Sequence, residues 1–210
     1  MAELDISNNY AVRQFIGEFF ENMTAKMFEA ELIPARNFTK GEVHPDLSCN
    51  KLDAWLEVKA TQESRYFKVY MNQVEKYREL LRPVPFPHSR LWYVFFTHTV
   101  FKISETYAQK TVEDLSRDLV RSIPRIVVLD FSIVDTLSRQ LKILKKWTEV
   151  GFPPFLRWEH KINREFMEEP KNKLVRIGLK PSDYTIKKNT IELSHGRVKH
   201  TAPIVLVVKK

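Results

Sequence analysis

A chain of 210 residues, 43% hydrophobic and 12% aromatic, has the material for one well-packed domain with a small appendage. No apolar run reaches ~18 residues, which argues against a membrane-spanning helix, and a single cysteine, Cys49, excludes internal disulfides and cysteine-rich zinc or iron–sulfur sites. The net charge of +8 is uneven: residues 1–150 hold 21 Lys and Arg against 20 Asp and Glu, residues 151–210 hold 13 against 6, and such a basic block suits a polyanion, nucleic acid above all, or else serves solubility.

The chain opens MAELDISNNY, without the basic start and apolar stretch of a secretory leader, and an intracellular, cytoplasmic protein is expected. Residues 12–32 read as a helix. Val12, Phe15, Ile16, Phe19, Phe20, Met23 and Met27 recur at three- and four-residue steps, and Pro34 closes the segment. Strands are expected over 41–48 and 54–61, around the turn Asn50-Lys51-Leu52-Asp53. A second helix is predicted over 70–82, with Tyr70, Val74, Tyr77 and Leu81 on one face and Pro83, Pro85 and Pro87 ending it. The run 91–97 (LWYVFFT) has the continuous apolarity of a strand buried on both faces. Thr111 caps a helix through about Ser122, with Val112, Leu115 and Leu119 inward. Another buried strand covers 125–131 (RIVVLDF), and Ser132 or Asp135 opens a helix through about Glu149, with Leu137, Leu141, Leu144 and Trp147 inward. This order of elements predicts the α/β class. Gly151-Phe152-Pro153-Pro154 breaks the pattern, so the chain divides into a core over 1–150 and a basic C-terminal extension over 151–210. The extension is expected to be β-rich, with short strands at 184–187, 190–193 and 203–208, and packed on the core.

The chemistry concentrates in His44-Pro45-Asp46-Leu47-Ser48 and Trp55-Leu56-Glu57-Val58-Lys59-Ala60. Strand alternation sends Leu56, Val58 and Ala60 into the core and Glu57 and Lys59 to the other face, about 7 Å apart along the strand. The preceding strand brings Asp46 beside them. Two neighbouring carboxylates repel, and a hard divalent cation such as Mg²⁺ resolves this by taking both as oxygen ligands, with water and phosphate oxygens completing its shell. Beside a scissile phosphate such an ion stabilises developing charge and acidifies a water, and a lysine there orients the water or neutralises the phosphate. The Glu-x-Lys triplet alone is weak, since it recurs as Glu159-His160-Lys161 and Glu169-Pro170-Lys171; only Glu57 sits in a strand pattern ten residues after the Pro-Asp pair. The competing reading is a charged outer face on an edge strand. Asp53 is an alternative to Asp46 in a different hairpin register, and His44 is a further phosphate-contact candidate.

With Pro45-Asp46 and Glu57-Val58-Lys59 in place, the sequence resembles the PD-(D/E)XK nuclease superfamily, over roughly residues 12–97. Gly17, Glu21, Met23 and Met27 are spaced as in its Holliday-junction resolvase branch, and Gln73 and Tyr77 resemble a Gln-containing second helix of several branches. The resemblance implies a restriction-endonuclease-like core: a central mixed β-sheet flanked by helices. It implies a Mg²⁺- or Mn²⁺-dependent endonuclease cutting DNA phosphodiester bonds, resolvase-like in its taste for DNA structure and homodimeric, with no other cofactor and no membrane partner. A viral or mobile-element source would put it in a host cytoplasm. Asp46, Glu57 and the Val58 carbonyl would hold the metal, Lys59 would serve the water or the transition state, and Glu21 and Gln73 would support the site. On a helical wheel Glu21 lies opposite the apolar stripe, as a cleft-lining or a solvated glutamate would, and Glu18 is the alternative. Cys49 packs. The alternative function is a non-catalytic DNA-binding protein retaining the fold. In the extension, Arg157, Lys161, Arg164, Lys187, Lys188 and Lys199 are the candidate phosphate contacts, interleaved with aromatics that stack on unpaired bases; the competing reading is a solvated surface.

Overall fold

The computed structural model describes residues 9–34, 42–62, 66–81, 88–100, 111–140 and 155–210, with the side chains of Asn9, Tyr66 and residues 155–163 outside that description. Helix α1 (Asn9–Phe28) buries Val12, Phe19, Phe20 and Met23. It stops before the expected end at 32, because Glu29 takes a left-handed φ of 53° that breaks the helical ladder well ahead of Pro34. Glu31–Leu32 form the short strand β1 instead.

Strands β2 (Leu47–Cys49) and β3 (Ala54–Gln62) make the antiparallel hairpin, joined by a 3-10 turn over Asn50–Leu52 and by Asp53 at φ 47°. β2 is much shorter than the expected 41–48, and the reason is local. Pro45 has no N–H to give a ladder. The Asp46 N–H donates to the Leu56 carbonyl (3.1 Å), and the next N–H of β3, that of Val58, goes to the Asp46 carboxylate (2.7 Å) instead of to a backbone carbonyl. A second device pins the turn. His88 lies 2.7 Å from Ser48 Oγ through Nε2 and 3.3 Å from Asp53 through Nδ1, while Ser89 Oγ donates to Asp53 at 2.7 Å. Those bonds, from Ser89 first and His88 second, hold the Asp53 carboxyl below its ordinary range.

After β3 the chain leaves the main sheet. Strand β4 (Tyr66–Tyr70) pairs antiparallel with β7 (Phe155–Glu159) in a separate two-stranded sheet, and α2 (Met71–Leu80) follows directly. Strand β5 (Arg90–His98) returns parallel to β3; α3 (Val112–Arg121) carries a capping box between Thr111 and Asp114; β6 (Arg125–Asp130) lies antiparallel to β5. Helix α4 (Phe131–Gln140) starts earlier than expected, and Leu141, Leu144 and Trp147 lie outside the described residues. Helices α5 (His160–Glu168) and α6 (Pro170–Arg176) precede a hairpin of β8 (Tyr184–His195) and β9 (Val198–Lys209), with β9 parallel to β6.

The protein is therefore α/β, with a mixed seven-stranded sheet of order β1-β2-β3-β5-β6-β9-β8 flanked by helices. This corrects the expected division at residue 150: β8 and β9 are two strands of the central sheet, and Ala202, Ile204, Val205 and Val207 are buried in it. The short strand candidates at 184–187 and 190–193 belong to one long edge strand, continuous through the exposed Lys187–Thr190 stretch.

Both faces of the sheet are covered. Leu56, Val58, Trp92, Val94 and Phe96 face a core with α1 and α3; Tyr93, Phe95, Val127 and Leu129 face a second core with α2, α4 and the buried Phe166 and Leu174. Burial on both sides is why β5 and β6 read as unbroken apolar runs. Among the described residues no helix is long and apolar enough to cross a membrane.

Candidate active site

Glu57 lies on the face of β3 that meets the second core, not on a solvated face, and its exposure is 1%. The expectation of an inner face bearing Leu56 and Val58 is met, but the opposite face is interior as well. β2 pairs with β3 only over Ala54–Leu56, and it is the burial of Glu57 that rules out a charged outer face there. A buried carboxylate costs several kcal/mol unless its oxygens are matched. Three donors do this. Lys59 Nζ lies 2.5 Å from Oε1, Gln73 Nε2 donates to the same oxygen at 2.7 Å, and the Tyr77 hydroxyl donates to Oε2. Gln73 and Tyr77 are four residues apart on α2, hence on one helix face, and Gln73 Nε2 also reaches the Tyr77 oxygen at 3.3 Å. The Tyr77 hydroxyl is also 2.9 Å from the His44 carbonyl, so it ties the Pro-Asp segment to Glu57.

Asp46 joins from β2. The structure brings Asp46, Glu57, Lys59, Gln73 and, at longer range, Glu21 to one locality. Burial and then the Glu57 charge push the Asp46 carboxyl well above its ordinary range, with Lys59 and the Val58 N–H only partly offsetting them. Burial, Glu57 and Glu18 likewise raise Glu21. Burial alone would lower the Lys59 ammonium, but Glu57 and Asp46 outweigh it and hold its proton more firmly than usual. Beyond burial, the raised carboxyls and the raised ammonium share a second cause: more negative charge than one lysine balances.

A small hard cation fits that imbalance. Among the described residues no three His, Cys, Asp or Glu side chains converge as a ready-made cage. Glu21 is not gathered with Asp46 and Glu57 into such a group and acts on them at longer range. Two carboxylates remain, with the Val58 carbonyl. The Val58 N–H points to Asp46, and in a strand a residue's C=O points to the same edge as its N–H, so this carbonyl faces the Asp46 side. Mg²⁺ accepts such sparse ligation and keeps several waters. Two buried polar atoms beside Glu57 are without a hydrogen-bond partner among the described residues, Gln73 Oε1 and the Tyr93 hydroxyl. Tyr93 pairs in register with Glu57 on β5, and burial first, then Glu57 and Asp46, raise its phenol. An acceptor and a hydroxyl left over here suit the hydrogens of ion-bound water.

Of the alternatives, Asp53 is spent on Ser89 and His88 in the turn, and Glu18 is exposed and accepts from Gln14 at 3.0 Å. His44 turns its Nδ1 to the Pro45 carbonyl (2.9 Å), and Cys49 is buried against the Phe28 carbonyl (3.3 Å). Two residues at the centre were not assigned a role from sequence. Tyr77 had its signal in the four-residue step from Gln73. Tyr93 had none, because a tyrosine inside LWYVFFT reads as core.

Lys187, Lys188 and Lys199 lie on β8 and β9, away from the centre. Lys187 and Lys188 are consecutive on β8, so they project to opposite faces. Lys188 Nζ donates to the Glu168 carbonyl at 2.6 Å, and Lys199 pairs with Glu192 at 3.0 Å. Arg164 is exposed on α5, and the Arg157 and Lys161 side chains lie outside the described residues. β8 is four strand spacings from β3, about 19 Å. Compared with models of protein families, with curated proteins and with solved structures, the chain matches none.

Proposed function

We propose that this chain is a metal-dependent endonuclease of the PD-(D/E)XK kind, with a restriction-endonuclease-like core, hydrolysing phosphodiester bonds in structured DNA as resolvases do. The observation that carries the reading is the buried Glu57 carboxylate, ion-paired to Lys59 on the strand where Asp46 takes the Val58 N–H. A fold gains little from burying such a pair with a second carboxylate beside it, since apolar residues of similar volume are often as stable or more so. A site needing concentrated negative charge next to one fixed positive charge gains from it directly.

Asp46, Glu57 and the Val58 carbonyl would hold Mg²⁺ or Mn²⁺, which when bound supplies Lewis acidity and an acidified water. The chain's own groups do the rest. Lys59, kept protonated by its carboxylate neighbours, supplies positive charge to the phosphate as negative charge builds there. Gln73 and Tyr77 fix the Glu57 carboxyl in one rotamer, so little reorganisation is left for the reaction. Gln73 Oε1 and the Tyr93 hydroxyl orient water. A homodimer belongs to the same reading. The experiment is a panel of plasmid, single-stranded and four-way-junction DNA. Cutting that needs Mg²⁺, stops with a chelator and favours the junction is expected; a DNA-binding protein that cuts none of them would overturn the catalytic reading.

A further inference from the structure

Strand β4 leads out of the candidate centre, and its two faces differ. Phe67 and Val69 are buried in the second core at 2% and 0% exposure. Lys68 and Tyr70, on the opposite face by strand alternation, are exposed, and Tyr70 is one of few large apolar residues left so, at 38%. Tyr70 is also the N-cap residue of α2, three residues before Gln73 on the helix that carries Gln73 and Tyr77 to Glu57. A cation and an aromatic ring therefore come, in chain order, immediately before the helix whose Gln73 and Tyr77 reach Glu57. Across the small sheet, Arg157 pairs in register with Lys68 and Phe155 with Tyr70, so the facing strand repeats the order of a basic and an aromatic residue.

We propose that this face of β4 is a track for an unpaired DNA strand, with a base stacked on Tyr70 and the flanking phosphate on Lys68. The inference rests on the nuclease reading only for what the strand runs into. The chemistry points to a single strand because a ring stacks on an exposed base face, and in a duplex each base face is covered by its neighbours. Duplex phosphates would need only the lysines. Because Tyr70 caps the helix that holds Gln73 and Tyr77 against Glu57, a base stacked there would have a second effect, fixing which phosphate reaches Lys59.

The test reads binding and not cleavage. Fluorescence anisotropy of a labelled oligothymidylate and of a labelled duplex is followed in a metal chelator, with wild type, Tyr70→Phe, Tyr70→Ala and Lys68→Gln, each checked for an unchanged thermal transition. Tyr70→Ala is expected to weaken oligothymidylate binding by about 10-fold or more, the usual loss for one stacked base, and to leave duplex binding as it was. Tyr70→Phe keeps the ring and should bind as wild type does. Lys68→Gln should make the salt dependence shallower by about 0.7 in log–log slope, one single-strand phosphate. Wild-type affinity in Tyr70→Ala, an equal loss on duplex, or tighter wild-type binding of oligouridylate than of oligothymidylate would overturn the proposal. A protein that shows these effects yet never cuts DNA would retain the track and lose the nuclease reading; one that cuts but ignores Tyr70→Ala would do the reverse.

Discussion

The hairpin of β2 and β3 and the hairpin of β8 and β9 sit in one sheet and handle charge in opposite ways. The first lies in the part of the chain with a net charge of only +1, yet it buries Glu57 beside Asp46 and leaves both held by one lysine. The second lies in the segment that carries +7, yet its lysines are dispersed: Lys187 and Lys188 on opposite faces, Lys199 paired with Glu192. Net charge locates a partner surface poorly. A small imbalance in a dry site shifts carboxyls and ammonium alike, whereas a large excess on a wet edge is screened within about 8–10 Å.

Breaking the acidic hairpin should have the largest effect. Lys59→Ala is expected to lower the cleavage rate by about 10²–10³-fold, the usual cost of removing one preorganised group that meets developing charge. DNA binding should survive, since phosphate contacts elsewhere supply it. A mutant that cleaves at the wild-type rate would mean that Lys59 only balances Glu57.

A smaller effect, on stability, separates the hairpins by pH. Asp46 has its carboxyl raised, so between its ordinary value of 3.8 and its higher folded value the unfolded chain gives up a proton that the folded chain keeps. Its contribution to stability is thus complete below that window and is lost as pH rises through it. Glu21 acts in the same direction from 4.5 upward. The buried His98, lowered to about 4, acts oppositely and loses stability as pH falls below 6.5. Asp46→Asn isolates the first of these. In chelator, its melting temperature should gain on wild type as pH rises from about 4 toward neutrality. Mg²⁺ should stabilise wild type and leave the mutant unmoved. A gap between the two proteins that does not vary with pH would show that Asp46 is not under the charge pressure described.

The smallest expected effect is at the basic edge. Reversing Lys187 and Lys188 together should make the salt dependence of duplex binding shallower by about 0.9, one phosphate and not two, because the two side chains project to opposite faces. A change near 1.8 would mean that the edge of β8, and not a face, meets the duplex. No change would remove both lysines from the interface.

These contrasts also show what the sequence could reveal. The strands 91–97 and 125–131 were legible because burial on both faces leaves an unbroken apolar run, and α3 was legible because Thr111 and Asp114 form a capping box. Asp46, Glu57 and Lys59 were legible because strand alternation and hairpin pairing act over a dozen residues. The burial of Glu57 was not: a glutamate and a lysine two apart read as a polar outer face, and only α2 and β5 folding over them make that face interior. The place of β9 was not legible either, since its parallel partner β6 lies far away in sequence and nothing local sets that pairing. β4 escaped notice because it is only five residues long and runs directly into α2, so that its last residue, Tyr70, reads as the first of that helix.

The most direct measurement compares wild type and Glu57→Gln, from matched preparations free of contaminating nuclease, on a four-way DNA junction with and without Mg²⁺. Glutamine keeps the size of the side chain and, with its oxygen at the Oε1 position, an acceptor for Lys59 and Gln73, while its amide N–H can donate to the Tyr77 oxygen; it removes the charge that a cation needs. Mg²⁺-dependent cutting by wild type, with only background from a folded Glu57→Gln that still binds the junction, is the predicted result. Equal cutting by both proteins would contradict the placement of the metal at Glu57 and, with it, the catalytic centre on β3.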